Sequence, residues 1–570
     1  MNQYTAGSLA SFSALKADAS KRPRGRNGSS PSYVCLSDEA EDGDRGDRDD
    51  RGDRGDRGDY DGDRYGEDPT TCPTTSLRVG VQAAETMTQM AAAALRLPCP
   101  PVVFAALDQL IYCMLVSETS RRMSEQYADT LDRLRSVLQL MRRFGPVHCG
   151  RLEAHAFGST VCGMQILPSD LDVCIDGDIT RAPSNSWRDD APGRRLSEVV
   201  RFSQQKFLHE LADLLIREGD ADARTLERII HARVPVFNYV DRATGVKVDV
   251  IVGGETFRFK ASVLKILTCA DWRFAALTRL VKLWAARYVL VDASMGLLNS
   301  YSLKLLVLFH LQNRPVPVLP KLAIPRGGAG LQGDWGLGGK GGDGGGGGWD
   351  ARYRPIRNDL GEGFEHDTQC RERMYLYVQE FARHLLAPEG CYREMLGKND
   401  ETLAELFVSF MRFVKDLTEL ERTVGDGQLF QKLKLDPWHG TFCYGSEDSD
   451  RAYHIYVRDP FEERPDNAAR SLSFAGAHAM HEACDEVCHR LDRLGAKAAE
   501  GGKGGDAVDY ASILDVFAAG FGDDVAAVAD DWLERAVGEP FDQAAILQYM
   551  RPSASDGCMI GHARRLAEAS

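Results

Sequence analysis

The chain has 570 residues, 43% of them hydrophobic, and a formal net charge of −15. This length exceeds one core of ordinary size, so we expect two or three domains together with disordered segments. Residues 38–68 alone hold 15 acidic and 6 basic side chains. That balance excludes a protein that coats nucleic acid through bulk attraction, but it is compatible with a local basic cleft that grips one end of a strand.

No apolar run approaches the ~20 residues that a membrane helix requires, so we expect no membrane association. The 14 cysteines are scattered, as in reduced proteins of the cell interior. Residues 1–75 are rich in Ser, Gly, Asp and Arg and are predicted to be disordered. The first 37 residues contain one acid, Asp18. The scattered cysteines predict a cytoplasmic location. The low acid content of the first 37 residues leaves a mitochondrial presequence as the alternative.

Helical periodicity covers residues 101–143, and a region of mixed pattern follows. "RLEAHAFGS" (151–159), "LDVCID" (171–176), "VPVFNYV" (234–240) and "VKVDVIV" (246–252) are typical of strands, and 203–217 of a helix. From 262 onward the chain is predicted to be mostly helical, including 508–548. The glycine-rich stretches 327–348 and 501–505 indicate flexible surface loops. A compact α/β unit of roughly 146–257 is therefore expected inside a helical chain.

Two aspartates lie on the second predicted strand. Side chains alternate faces along a strand, so Asp170 and Asp172 share a face while Leu171 points into the core. Two neighbouring carboxylates repel unless a cation lies between them, and oxygen ligands suit Mg²⁺ or Mn²⁺. Asp249, between two valines on a later strand, provides a third acid. Three such carboxylates predict a two-metal centre for phosphoryl or nucleotidyl transfer.

A Gly-Ser pair precedes these aspartates. Gly158 would let the backbone approach a phosphate closely, and Ser159 offers a hydroxyl and an amide at a predicted helix start, where anions bind well. For Gly-Ser alone, a plain turn is the simpler explanation. The combination with Asp170, Asp172 and Asp249 favours a nucleotide site.

These residues resemble a known signature. "FGS" at 157–159 followed by "DLDV" at 170–173 is similar to the motif of the DNA polymerase β-type nucleotidyltransferase superfamily. The segments 277–290, 296–312 and 457–470 resemble those of terminal uridylyltransferases and the related cytoplasmic-type poly(A) polymerases. The likeness covers about 150–470. The Asp–Arg repeats and glycine inserts suit a kinetoplastid member of this family.

The resemblance implies roles for residues in the helical region. Lys282, in "VKLW", would bind the nucleotide triphosphate. Ser300 would contact phosphate and Tyr301 would stack on the base. Many relatives carry a second lysine where this chain has Ala286, so Arg287 beside it is a candidate substitute. From the residues alone, a solvated lysine and a core tyrosine are the simpler explanations.

Base recognition is assigned to a later segment, also by resemblance. Asp459 and Glu462 correspond to acids that contact the uracil edge, because a carboxylate can accept the N3–H that adenine lacks. The chain departs from the family pattern in two places. Asp466 stands where many relatives have a histidine, although kinetoplastid enzymes lack it. Lys260 falls where the family often has an asparagine that meets the ribose, so no ribose contact is assigned.

Residues 478–490 offer a competing candidate for a metal site. His478, His481, Cys484 and Cys488 recur there at helical spacing, which could indicate zinc. Four ligands from one straight helix rarely form a tetrahedral site, and the two cysteines fit a core face. We therefore favour an ordinary packed helix.

The resulting hypothesis is an α+β protein: a polymerase β-like nucleotidyltransferase domain with a mixed sheet, inserted in a helical central domain. The expected parts are 1–75 (disordered), 76–145 (helices packing with the central domain), 146–257 (catalytic domain), 258–500 (helical domain) and 501–570 (helical tail). The expected activity is template-independent transfer of UMP from UTP to RNA 3′ ends with Mg²⁺ or Mn²⁺. The alternatives are a poly(A) polymerase and a silent RNA-binding subunit. Since no separate RNA-binding module is evident, a protein partner is expected to select the RNA.

Overall fold

The computed structural model describes residues 101–115, 118–144, 152–166, 169–177, 196–232, 234–324, 368–387, 390–423, 432–445, 455–461 and 467–500. The predicted disordered segment 1–75, the glycine-rich stretch 327–348 and the tail 501–570 lie outside these ranges. The domain boundaries drawn from the sequence stay predictions.

Five strands form one mixed sheet in the order β1-β2-β5-β4-β3. They are β1 (Leu152–Ala156), β2 (Leu171–Gly177), β3 (Glu227–Ile229), β4 (Val236–Val240) and β5 (Lys247–Val252). β2 and β5 run parallel, and the other neighbours are antiparallel. The four strands predicted from the alternating pattern are present; β3 was not predicted. Asp241 stabilises the turn between β4 and β5 by accepting from the backbone N–H groups of Ala243 and Thr244.

Two long helices cover one face of this sheet: α2 (Glu118–Phe144) and α4 (Leu196–Glu218). The covered face carries apolar residues of β1, β2, β4 and β5, which pack with apolar residues of the two helices. This core includes Leu134, Leu138, Val173, Ile175, Phe207, Leu211, Phe237, Tyr239, Val248 and Val250. Each fully buried side chain of this kind contributes about 1.5–3 kcal/mol. The burial of alternate residues therefore turns the polar residues of β2 and β5 to the opposite face.

The second core is mainly helical, as predicted. It is built around α1 (Pro101–Leu115), α5 (Glu255–Ala270), α6 (Arg273–Arg287), α7 (Ser300–Gln312), α8 (Thr368–Leu386), α9 (Leu403–Thr423) and α10 (Phe474–Glu500). Short α3 (Gly158–Cys162) packs on α5 and links this core to the sheet. Asn299 begins α7 as its N-cap, since its side chain accepts from the backbone N–H of Ser302.

A small second sheet, which was not predicted, lies within the mostly helical part of the chain beyond residue 262. Its strands are β6 (Lys432–Asp436), β7 (Thr441–Gly445) and β8 (Tyr456–Val457), in the order β7-β6-β8. The alternation in "KLKLD" was the available signal. β8 ends two residues before Asp459, the residue that the sequence analysis assigned to base recognition.

The predicted α+β fold, a mixed nucleotidyltransferase-type sheet joined to a helical domain, is therefore confirmed. In the part of the chain that the structure describes, no helix has the length and apolarity needed to cross a membrane.

Candidate active site

A row of polar residues crosses the opposite face of the sheet. Asp172 on β2 is the register partner of Asp249 on β5, and Asp249 is in turn the partner of Asn238 on β4. Glu227 on β3 continues the row beside Asn238. The sequence predicted that Asp172 and Asp249 lie on neighbouring strands, and the register places them side by side.

The two central carboxylates are partly hidden from water, which changes their protonation. Burial raises the pKa of Asp249 to about 6, and the charge of Asp170 adds to the effect. Its Oδ1 atom is buried with no hydrogen-bond partner. Burial also raises the pKa of Asp172, although Lys304 and Lys282 oppose it. Both acids are therefore costly to ionise unless further positive charge lies beside them.

Asp170 occupies a different environment from the other two acids. It directly precedes β2, and the Lys247 Nζ atom lies 2.8 Å from its Oδ2 atom. Partial burial works against the charge of Lys247, but the hydrogen bond to Asp170 outweighs it and raises the pKa of Lys247. The predicted triad is thus brought together in part, with Asp170 paired to a lysine.

The donor chemistry of this row fits a divalent cation. Carboxylate oxygens suit Mg²⁺ and Mn²⁺, and the unpaired Oδ1 of Asp249 is a ready ligand. As the side chains stand, however, no group of three or more His, Cys, Asp or Glu within the described ranges could hold a metal ion. A three-carboxylate site would require Asp170 to exchange Lys247 for the cation.

Gly158 shapes this row at the start of α3. Its φ of +69° is in the left-handed region, and a Cβ at this position would lie 2.1 Å from Asp172 Oδ2. The next residue, Ser159, is buried, and its backbone N–H donates to the Asp172 carboxylate. The sequence predicted a close approach to phosphate at Gly158 and Ser159; the structure shows a close approach to Asp172.

Two lysines face Asp172 from the helical side. Lys282 on α6 donates from Nζ to the Met164 carbonyl at 3.1 Å. Burial, followed by the charge of Lys304, lowers the pKa of Lys282 to about 7. Lys282 is therefore an inward-facing cation and not a solvated surface lysine.

Lys304 on α7 was missed by the sequence analysis. It is buried, and its charge acts on both Asp172 and Lys282. A lone lysine inside the apolar run "YSLKLLVLFHL" was the signal that could have found it. Arg287, the suggested second cation, lies elsewhere, over the ring of Tyr288 at 5.4 Å.

The predicted base-binding residues meet at the first turn of α7. The Tyr301 hydroxyl donates to Asp459 Oδ1 at 3.0 Å, and Lys260 Nζ donates to Asp459 Oδ2 at 2.7 Å. Asp459 is only 4% exposed. Ser300 is exposed at the helix start. The structure thus brings Tyr301 and Asp459 into contact and adds Lys260, to which no role had been assigned.

Two residues discussed for base recognition, Glu462 and Asp466, lie outside the described residues. Asn467, just beyond them, is structural. Its side chain accepts from the backbone N–H groups of Val457 and Ala469 and donates to the Ile455 carbonyl. Asn467 thereby ties β8 to the turn that follows and holds the Asp459 segment in place.

α7 connects the acids of the sheet with the cluster around Tyr301. Tyr301 and Lys304 are three residues apart and therefore lie on the same side of the helix. Tyr301 contacts Asp459, whereas Lys304 acts on Asp172. The site is thus one strip: acids of the sheet, then Lys282 and Lys304, then the cluster around Tyr301.

The alternative zinc cluster does not form. His481 Nδ1 lies 3.0 Å from the Thr418 hydroxyl, and His478 pairs with Glu482 within α10. Cys484 and Cys488 are buried in the helical core, as the packed-helix interpretation predicted.

Comparison with known proteins agrees with this geometry. Residues 109–256 match the family described as poly(A) RNA polymerase, mitochondrial-like, central palm domain. Protein HESO1 of Arabidopsis thaliana is 26% identical over 60% of this chain and 55% of its own length. The poly(A) RNA polymerase GLD2 of Danio rerio is 29% identical over 29% of this chain and 30% of its own.

The chain thus spans about half or less of the length of these curated relatives. A solved structure of a cytoplasmic RNA terminal U-transferase aligns with a TM-score of 0.45 and 18% identity, over 72% of this chain and 97% of that chain. The family model and the curated relatives bear out the family resemblance of the sequence. Over the matched residues, the chain is therefore similar to terminal uridylyltransferases and related poly(A) polymerases.

Proposed function

We propose that this protein is a template-independent RNA 3′-terminal nucleotidyltransferase that prefers UTP. The observation that carries the proposal is the side-by-side placement of Asp172 and Asp249 next to two inward-facing lysines. Paired carboxylates suit a divalent cation, and paired ammonium groups suit a polyphosphate. A nucleoside triphosphate with its cation carries both features.

Asp172 and Asp249 would hold the cation, joined by Asp170 once it leaves Lys247. When bound, the cation lowers the pKa of the attacking hydroxyl and neutralises the leaving pyrophosphate. In the reaction, the RNA 3′ oxygen bonds to the α-phosphorus of the nucleotide as the bond from that phosphorus to the bridging oxygen of pyrophosphate breaks. Asp249 is also the proposed acceptor of the hydroxyl proton.

Lys282 and Lys304 would bind the phosphates of the nucleotide. Both face Asp172, so they lie where a cation-bound triphosphate would extend from the acids. Ser300, exposed at the N-terminus of α7, can donate to the same phosphates.

Base preference is proposed to depend on Asp459. A carboxylate accepts hydrogen bonds, so it pairs with the N3–H of uracil but faces the N1 lone pair of adenine. A buried polar site that fits one base edge rejects the other because its polar groups stay unpaired. The role of Glu462 in contacting the same base edge remains a prediction from the sequence.

The same fold supports an ATP-using enzyme, since curated relatives are named poly(A) RNA polymerases. A silent RNA-binding subunit is the less favoured alternative, because such a protein has no use for acids that are this costly to ionise. An RNA 3′ end is the proposed acceptor, a partner protein is proposed to select it, and the cytoplasm is the proposed location.

The test is incubation of the protein with a short RNA and each of the four nucleoside triphosphates separately, with Mg²⁺ or Mn²⁺. Extension by UTP above the others is expected. Asp172→Asn should lower the rate at least about 10³-fold, because it removes a cation ligand. Asp176→Asn is the matched control, since Asp176 lies on the same strand but pairs with Arg258.

Preference for ATP would replace the uridylyltransferase proposal with the poly(A) polymerase alternative. Failure of the wild-type protein to extend RNA with any nucleotide would refute both. Equal activity of Asp172→Asn and Asp176→Asn would show that the active site lies elsewhere.

A further inference from the structure

Lys260 makes two contacts, with Asp459 and Tyr301, that have no role in the proposed reaction. Its Nζ atom is 2.7 Å from Asp459 Oδ2 and 5.1 Å from the centre of the Tyr301 ring. The side chains of Lys260 and Asp459 are only 13% and 6% exposed. An ion pair this well buried is strongly coupled, because removal of either partner leaves an uncompensated charge.

The hydrogen bonds of Asp459 show which acceptor position of the carboxylate remains available to a base. Oδ1 accepts from the Tyr301 hydroxyl at 3.0 Å and from the Phe461 backbone N–H at 3.1 Å. Oδ2 accepts from Lys260. An ionised carboxylate has about four acceptor positions, so about one remains, on Oδ2 beside the Lys260 ammonium.

We propose that Lys260 is a positioning residue that determines which base the nucleotide site prefers. This inference deepens the proposed function and rests on it. Lys260 prevents rotation of the Asp459 carboxylate, so that a single acceptor faces the base. A base edge with an N–H at that point is accepted, and one with a lone pair is rejected.

The fold explains how this residue is held in place. Lys260 lies on α5, next to Ala261, whose carbonyl accepts the Cys162 thiol at 3.4 Å. Cys162 ends the short helix that begins with Gly158, so the packing of α3 on α5 links the segment of Lys260 to the residues beside Asp172. Lys260 pairs with Asp459, which is not one of the sheet acids. Its loss should therefore affect nucleotide selection and leave the chemical step intact.

The experiment compares steady-state kinetics with UTP and ATP for the wild-type protein, Lys260→Met, Lys260→Arg, Asp459→Asn and the double variant Lys260→Met/Asp459→Asn. Lys434→Met is the matched control, because Lys434 also lies over a tyrosine ring, 4.9 Å from the centre of Tyr456, but in the second sheet. A purely structural lysine–tyrosine contact would be lost in both methionine variants.

We expect Lys260→Met to raise KM for UTP about tenfold, to keep kcat within about twofold, and to reduce the UTP preference by a similar factor. Lys260→Arg should restore most of the preference, since it retains the cation. The double variant should be no worse than Asp459→Asn alone, because the two residues act as one unit. Lys434→Met should match the wild type.

The inference is overturned if Lys260→Met behaves like Lys434→Met, if it lowers kcat with KM and preference unchanged, or if the effects of the two single changes simply multiply in the double variant. A wild-type protein that transfers no nucleotide refutes the proposed function instead. In that case, UTP and ATP dissociation constants for the same variants decide the role of Lys260.

Discussion

Replacement of Gly158 by alanine should nearly abolish nucleotide transfer while leaving the protein folded. Gly158 has a φ of +69°, and a Cβ there would lie 2.1 Å from Asp172 Oδ2 and 2.9 Å from Cγ. Gly163, at the other end of the same short helix, is the matched control. Its φ is +70°, but a Cβ there would have nothing within 4 Å.

The two substitutions share one cost and differ in the other. An alanine in the left-handed region costs about 1–2 kcal/mol, and both variants should lose that much stability. At Gly158 the methyl group must also displace the Asp172 carboxylate by about 1.5 Å to restore an ordinary contact. The end of an aspartate side chain can rotate, so this displacement adds little to the loss of stability. A shift of that size at a catalytic group costs about 100-fold in rate.

The assay is nucleotide incorporation into a short RNA, combined with thermal unfolding of both variants. Gly158→Ala should lose at least about 100-fold in kcat, and Gly163→Ala should stay within about threefold of the wild type. Equal activity of the two variants would refute the assignment of Asp172 to the reaction or the close approach of Gly158 to it.

Three further outcomes follow from single residues. Asp249→Asn should stabilise the metal-free protein by about 1–3 kcal/mol above pH 6. Because the folded-state pKa of Asp249 is about 6 and the ordinary value is 3.8, the wild type loses stability as pH rises between these values. Melting in a chelator at pH 4 and pH 8 checks this; an equal gain at both pH values contradicts it. In Lys304→Met, the pH above which UTP affinity falls should be higher than in the wild type, because the Lys304 charge helps to hold the pKa of Lys282 near 7. An unchanged pH dependence in a binding titration contradicts this. Val289→Gly should raise the melting midpoint by an amount equivalent to about 1 kcal/mol, since Val289 has a φ of +53° that a β-branched side chain tolerates poorly; no gain would contradict the strain.

Much of the fold follows from local pattern. Apolar residues recur with a period of two in β2, β4 and β5 and with a helical period in α2 and α6, and burial of those residues decides which face is covered. The side-by-side placement of Asp172 and Asp249 follows from the same alternation once two strands are known to be neighbours. β6 and β7 were missed although "KLKLD" alternates, whereas β8 has only two residues and therefore too little periodicity to stand out.

The remaining parts of the site depend on contacts between distant segments. Lys260 and Asp459 are 199 residues apart in the chain. Lys247 pairs with Asp170 only because β5 lies beside β2. Lys304 has no local pattern that shows which partner its charge meets. Sequence periodicity reports which face is buried and carries no information on what packs against it, so these contacts required the three-dimensional structure.

The in-register pairing of Asp172 with Asp249 links catalysis to folding. Val248 and Val250 flank Asp249 and are fully buried, so a slip of β5 by one residue would place an aspartate in the apolar core and two valines in the cleft. Such a slip would cost several kcal/mol, more than a marginally stable domain can lose without unfolding. Molecules that fold at all therefore carry correctly aligned acids. Destabilising substitutions in this sheet should lower the number of active molecules and leave the turnover of each surviving molecule unchanged.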